Sequence, residues 1–109
     1  MKAFVIAIIT LTLLASGCIA NDVLCHSICD GITLAVQNEG QAGAKKALDT
    51  FRKNEFLLNC SVDNGYVNEA RVSLESLAVA YGCDDPYEIQ RYVADSIIRV
   101  NRIKTALFI

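Results

Sequence analysis

Five cysteines and one histidine hold most of the chemistry open to this 109-residue sequence. They are Cys18, Cys25, Cys29, Cys60, Cys83 and His26. A cysteine thiol can accept an acyl group, pair as a disulfide, bind zinc or attack an electrophile, and the compartment decides among these. Cys18 stands apart from the other four. It follows Ala15-Ser16-Gly17 at the end of an apolar run that begins at Ala3 and is broken only by Thr10 and Thr12, with Lys2 ahead of it. A short cationic region, an apolar core and small residues before a cut make an export signal. Here a thiol waits at the cut, which makes Cys18 the candidate lipidation site.

Leu14-Ala15-Ser16-Gly17-Cys18 resembles the bacterial lipobox, with Ala15 where a larger aliphatic residue is commoner. Ordinary cleavage after Gly17 or Ala20 also fits, since small residues precede both sites. So does retention. The apolar core of about fifteen residues is short of the roughly 20 that span a bilayer, but no charge intervenes before Asp22. Residues 1–20 are therefore expected to be a signal peptide or lipoprotein anchor, and residues 21–109 a helical domain. The protein is expected to be exported, either attached to the cell membrane by a lipid anchor or secreted.

With Cys18 acylated, four cysteines remain and allow three fully paired connectivities. Cys25 and Cys29 are four residues apart, one helical turn, with about 6 Å between Cα atoms but parallel side chains poorly aimed at each other. In an antiparallel bundle Cys60, ending the second helix, comes near the start of the first. Cys83 then lies roughly 25 Å away, at the far end of the third. The disulfide candidates are therefore Cys25, Cys29 and Cys60, paired as Cys25–Cys60 or Cys29–Cys60. Two disulfides would need another topology. Buried free thiols filling the core are the simplest alternative, because free cysteine packs as a small hydrophobe.

Other site chemistry is weakly represented. Cys25-His26-Ser27-Ile28-Cys29 lacks the two-residue knuckle usual for zinc, and it is not the Cys-x-x-Cys-His of haem attachment. A nucleophile would have to use His26 as its base, with Asp22 or Asp30 one turn away as the orienting acid. Such a His–carboxylate contact is usually a surface pair. No glycine loop followed by lysine offers a phosphate cradle. Asn59-Cys60-Ser61 matches a glycosylation acceptor, although at a helix end these residues also suit capping. We expect no catalytic residues, no metal and no cofactor.

Composition agrees with export. From Cys18 onward there are 92 residues with 9 basic and 12 acidic side chains, a net charge of −3. That mild negative balance argues against a nucleic-acid surface. A chain of this length can bury a modest single core. One proline and no Ser/Gly-rich tract leave no room for a long disordered linker.

The elements that must position these residues read as helices throughout, with no sustained alternation of period two. The first runs from about Asn21 to Gln37, with Leu24, Ile28, Ile32, Ala35 and Val36 as its apolar stripe. The second carries Ala44, Ala47, Leu48, Phe51 and Leu58, and Phe56 and Leu57 widen its apolar face. Asp63-Asn64-Gly65 marks a turn. The third runs from about Tyr66 to Tyr81, with Gly82 as the residue free to take positive φ. Asp85-Pro86-Tyr87-Glu88 opens the fourth with an N-cap, a proline at N1 and an acid at N3. Leu74, Leu77, Val93, Val100 and Ile103 are expected to be buried between the last two helices. The expected fold is all-α, a small antiparallel bundle of three to four helices after the signal segment.

Residues 44–109 resemble a family of small membrane-anchored helical proteins of Gram-positive bacteria known only as a domain of unknown function. The resemblance rests on a hydrophobic helix from Phe51 ending before the acidic turn at Asp63. It continues through Val67-Asn68-Glu69-Ala70-Arg71-Val72-Ser73-Leu74-Glu75-Ser76-Leu77 and a long final helix after an acidic break. The chain departs from the family in its cysteine count and in lacking the tryptophan common in the second helix. The resemblance implies a cell-surface helical protein and brings no catalytic residues. Two function classes follow. One is a non-enzymatic envelope lipoprotein, held to the membrane through its N-terminal segment and meeting a protein partner. The other is a freely secreted, disulfide-stabilised effector or toxin-like protein.

Overall fold

The structure is a computed structural model that describes residues 2–38 and 40–107, for residues 14–19 the backbone alone. Among the described residues it is all-helical, with four helices: α1 (Lys2–Asn38), α2 (Gly40–Ser61), α3 (Asn64–Gly82) and α4 (Pro86–Ala106). Each helix packs on the next, and α4 returns to α1, giving an antiparallel four-helix ring.

The ring follows from a shared 3–4 spacing of buried residues. Cys25, Cys29, Ile32 and Val36 face inward from α1, and Ala44, Leu48, Phe51 and Leu58 from α2. Val67, Ala70, Leu74 and Leu77 do so from α3, with Ser96, Val100 and Ile103 from α4 and Leu107 just beyond it. Such a stripe winds slowly around a helix and seats side chains between those of its neighbours. Leu74, Leu77, Val100 and Ile103 are buried as expected, and Val93 is half-buried.

Three local expectations need correction. The apolar stripe of α1 is rotated by one residue at its start. Leu24 is 48% exposed, Ile28 is half-buried, and Cys25 and Cys29 take the core positions. Phe56 does not widen the core face of α2 but points outward, 79% exposed. Nor is Gly82 the left-handed residue ending α3. The helix runs through it, and Asp84 takes the positive φ of 53°. The Asp84 and Asp85 amides then return to the carbonyls of Tyr81 and Ala80, at 3.2 and 3.5 Å, closing the helix end as a Schellman turn. The α4 start is as read: Asp85 Oδ1 accepts from the amides of Tyr87 and Glu88, with Pro86 in the first turn.

Ion pairs tie neighbouring helices along the outside. Arg71 meets Glu55 at 2.6 Å between α3 and α2, and Arg99 meets Glu69 at 2.7 Å between α4 and α3. Lys104 meets Asp30 at 2.6 Å between α4 and α1. These partners are exposed or half-exposed, so solvent screening leaves each pair a small contribution. The core, not the pairs, carries the stability.

The largest departure from the sequence reading is the start of α1. The helix does not begin near Asn21 but runs unbroken from Lys2 for 37 residues. At 1.5 Å per residue that is about 55 Å, nearly twice the length of the other helices. The molecule is accordingly 67 Å long and 22 by 18 Å across. The N-terminal half of α1 leaves the bundle as a single projecting rod.

Candidate functional site

Two features concentrate the residues singled out from the sequence. The first is the rod. Phe4, Val5, Ile6, Ile8, Ile9, Leu11 and Leu13 point in several directions around it and are 48–70% exposed. Thr10 and Thr12 return their hydroxyls to the carbonyls of Ile6 and Ile8, at 2.8 and 2.9 Å, which satisfies both hydroxyl donors within the helix. Among the described residues, no helix is long and apolar enough to cross a membrane. Cys18, the lipidation candidate, falls where α1 is described by its backbone alone, so its side chain lies outside the described residues.

The second feature is the junction of α1 with the end of α2. Asn21 Nδ2 donates to the Ser61 hydroxyl. One turn on, the Cys25 thiol approaches the same hydroxyl at 3.7 Å and the Leu57 carbonyl at 3.9 Å. Antiparallel packing thus brings Cys25 to the level of Cys60, and the two thiols interact electrostatically. They face different ways: Cys25 is fully buried and Cys60 is exposed. Cys29 is buried one turn further into the core, while Cys83 is exposed at the opposite end of the bundle. All four carry free thiols in this structure.

Burial governs the acidity of the inner pair. It pushes the Cys29 thiol up to about 12, and the nearby Cys25 and Asp30 push the same way against Lys104. Burial also pushes the Cys25 thiol up. The Ser61 hydroxyl opposes this, and Asp22 and Cys60 add to it. Both thiols are therefore held protonated at neutral pH. They are poor nucleophiles and poor metal ligands, since both roles require the thiolate.

The remaining candidates have other surroundings. His26 is half-buried on α1, Asp22 is buried four residues before it, and Asp30 is engaged by Lys104. Ser61 of the glycosylation-like triplet holds Asn21 and Cys25. Among the described residues, no three His, Cys, Asp or Glu side chains come together in a way that could hold a metal ion. An open groove of about 500 Å³ runs between the α3 C-terminal half and the α4 start, with Val72, Val79, Ala80 and Tyr92 among its walls and Cys83 at one end. Sequence reading missed this groove because Val72 and Val79 lie off the core stripe, at a seven-residue spacing that two helical turns place on one outer line.

No protein family, curated protein or solved structure matches the chain.

Proposed function

We propose that this chain is a non-enzymatic envelope protein, tethered at the outer face of a membrane, whose four-helix bundle acts by contacting another protein. The apolar rod carries the reading. Seven large apolar side chains stand in the open on the part of α1 that precedes the core. Leaving a side chain of this kind in water, rather than burying it, costs about 1.5–3 kcal/mol. A surface of that size calls for a lipid or protein cover.

The tether takes one of two forms. If Cys18 is acylated after cleavage, only Ile19 and Ala20 separate the lipid from the bundle. If the segment is kept, the rod itself enters the lipid. The resemblance of residues 44–109 to anchored surface proteins points the same way. Absence of catalysis fits the side chains available. The core thiols are held protonated, Asp30 is engaged by Lys104, and Asp85 caps α4.

Fractionation with mass spectrometry of the mature N-terminus tests this. The expected result is a membrane-bound chain with a diacylglyceryl group on Cys18, and a Cys18→Ser variant that is released or stays uncleaved. A wild-type chain free in the medium, starting at an unmodified Cys18 or Asn21, would replace this reading with that of a secreted helical effector.

A further inference from the structure

Resting on the tethered reading above, we propose that the end of the bundle nearest the rod is a lipid-contact surface. Val23, Leu24, Phe56 and Tyr66 form its footing in the headgroup layer, and the bundle stands upright on the membrane.

The placement follows from helix direction. α1 leaves the rod and enters the bundle at Asn21, where its side chain is tied to Ser61 at the end of α2. This end therefore gathers the first bundle turn of α1, the last turns of α2 and α4, and the first turn of α3. Exposed large apolar residues occur at three of its four corners. They are Val23 and Leu24 on α1, 54% and 48% exposed, Phe56 on α2 at 79%, and Tyr66 on α3 at 42%. On α4, Ala106 and Thr105 lie beside Tyr66.

The depth of this band matches the layer it would occupy. Val23 and Leu24 are two and three residues beyond Asn21, about 3–5 Å along the axis. Phe56 is five residues back from Ser61, about 7–8 Å. The interfacial layer on each side of a bilayer is about 5–8 Å thick. Tyrosine suits that layer because its ring is apolar and its hydroxyl polar.

Three corners define a plane, whereas a single apolar corner would let the bundle lean. The join to the rod is rigid, because α1 has no break between Lys2 and Asn38. Near this end Lys104 pairs with Asp30, and Arg99 and Arg102 with Glu69, while Asp63 caps α3 and Asp22 is buried, so the balance is not cationic. No cationic excess calls for anionic lipid, so a neutral phosphatidylcholine surface is the appropriate probe. The same footing serves either tether, since an acylated Cys18 would sit about 8–9 Å below Val23 and Leu24.

The chain contains no tryptophan, so single-tryptophan reporters can be read without background. Phe56→Trp, Tyr66→Trp and Tyr87→Trp each alter an exposed ring, and Tyr87 lies at the start of α4, at the opposite end of the bundle. The full chain, extracted from the membrane fraction, would be reconstituted into phosphatidylcholine vesicles containing acyl chains brominated near the headgroup. We expect blue-shifted emission at least twofold quenched for the probes at 56 and 66, and unchanged emission at 87. Chain that floats with the vesicles but shows equal quenching at all three positions, or none at 56 and 66, overturns the footing and leaves the tether standing. Chain that does not float with vesicles overturns the tether and the footing together.

Discussion

The Cys25 thiol lies 3.7 Å from the Ser61 hydroxyl, across the α1–α2 interface and level with the exposed Cys60. This contact fixes the register of the two helices and turns the inner thiol away from solvent. Under native conditions an alkylating reagent should modify Cys60 and Cys83 rapidly, and Cys25 and Cys29 only at the rate at which the bundle opens. Peptide mapping after timed alkylation distinguishes the pairs. Equal modification of all four would mean that the α1–α2 interface is not closed. If the chain instead carries a Cys25–Cys60 crosslink, Cys25 must leave Ser61 and α2 must turn to present Cys60.

Stability should fall in alkali because of Cys29. Its ordinary value is 9.0, and in the folded chain the thiol is pushed up to about 12 by burial. Below pH 9 both states hold the proton, and the contribution is fully present. Above that the unfolded chain releases the proton while the folded chain keeps it, so stability declines progressively up to about pH 12. Denaturant midpoints measured from pH 7 to 11 should show this slope, and a Cys29→Ala variant should be less stable at neutral pH yet show a shallower slope. A slope unchanged in that variant would assign the alkaline loss to other groups.

Leu77 is fully buried between α3 and its neighbours. Its replacement by alanine should cost about 2–5 kcal/mol, the range for a buried leucine that leaves a partly collapsed cavity. A melting temperature within a degree of wild type would contradict the packing of α3.

Asp84 is held at a φ of 53°, in the left-handed region. An L-residue pays about 1–2 kcal/mol there, while glycine costs about 0.5–1 kcal/mol in unfolded-chain entropy. Asp84→Gly should therefore stabilise the protein by about 0.5 kcal/mol, measurable as a small rise in the urea midpoint. A fall would show that the Asp84 side chain makes an important contact of its own.

Much of the bundle was legible in residue order. Asp85-Pro86 announced the start of α4 because capping is local, and the Leu74–Leu77 stripe announced a core face because its spacing is periodic. The missed features depend on distance. Cys25 and Cys29 read either as disulfide candidates or as core fillers; they fill the core positions of α1, and Leu24 beside them is turned out. Residue type alone could not decide which neighbour faces inward. Phe56 misled for the same reason, since an aromatic ring on α2 is apolar on either face. The end of α3 was misplaced by two residues because glycine is the commonest residue with positive φ, but here the hydrogen bonds of the α3–α4 turn place that strain on Asp84.

The unbroken α1 also sets an azimuth. A helix advances 1.5 Å and turns about 100° for each residue. With no hinge between Lys2 and Asn38, the length of the rod fixes the compass bearing of every surface of the bundle relative to the N-terminal end of the rod. Adding one residue before Asn21 would swing the α3–α4 groove about a quarter-turn around the rod axis while lifting it hardly at all. Adding seven would bring it back almost to its starting bearing, about 10 Å higher. With the rod tethered as proposed, a partner fixed in the same membrane would thus sense the phase of the rod far more sharply than its height.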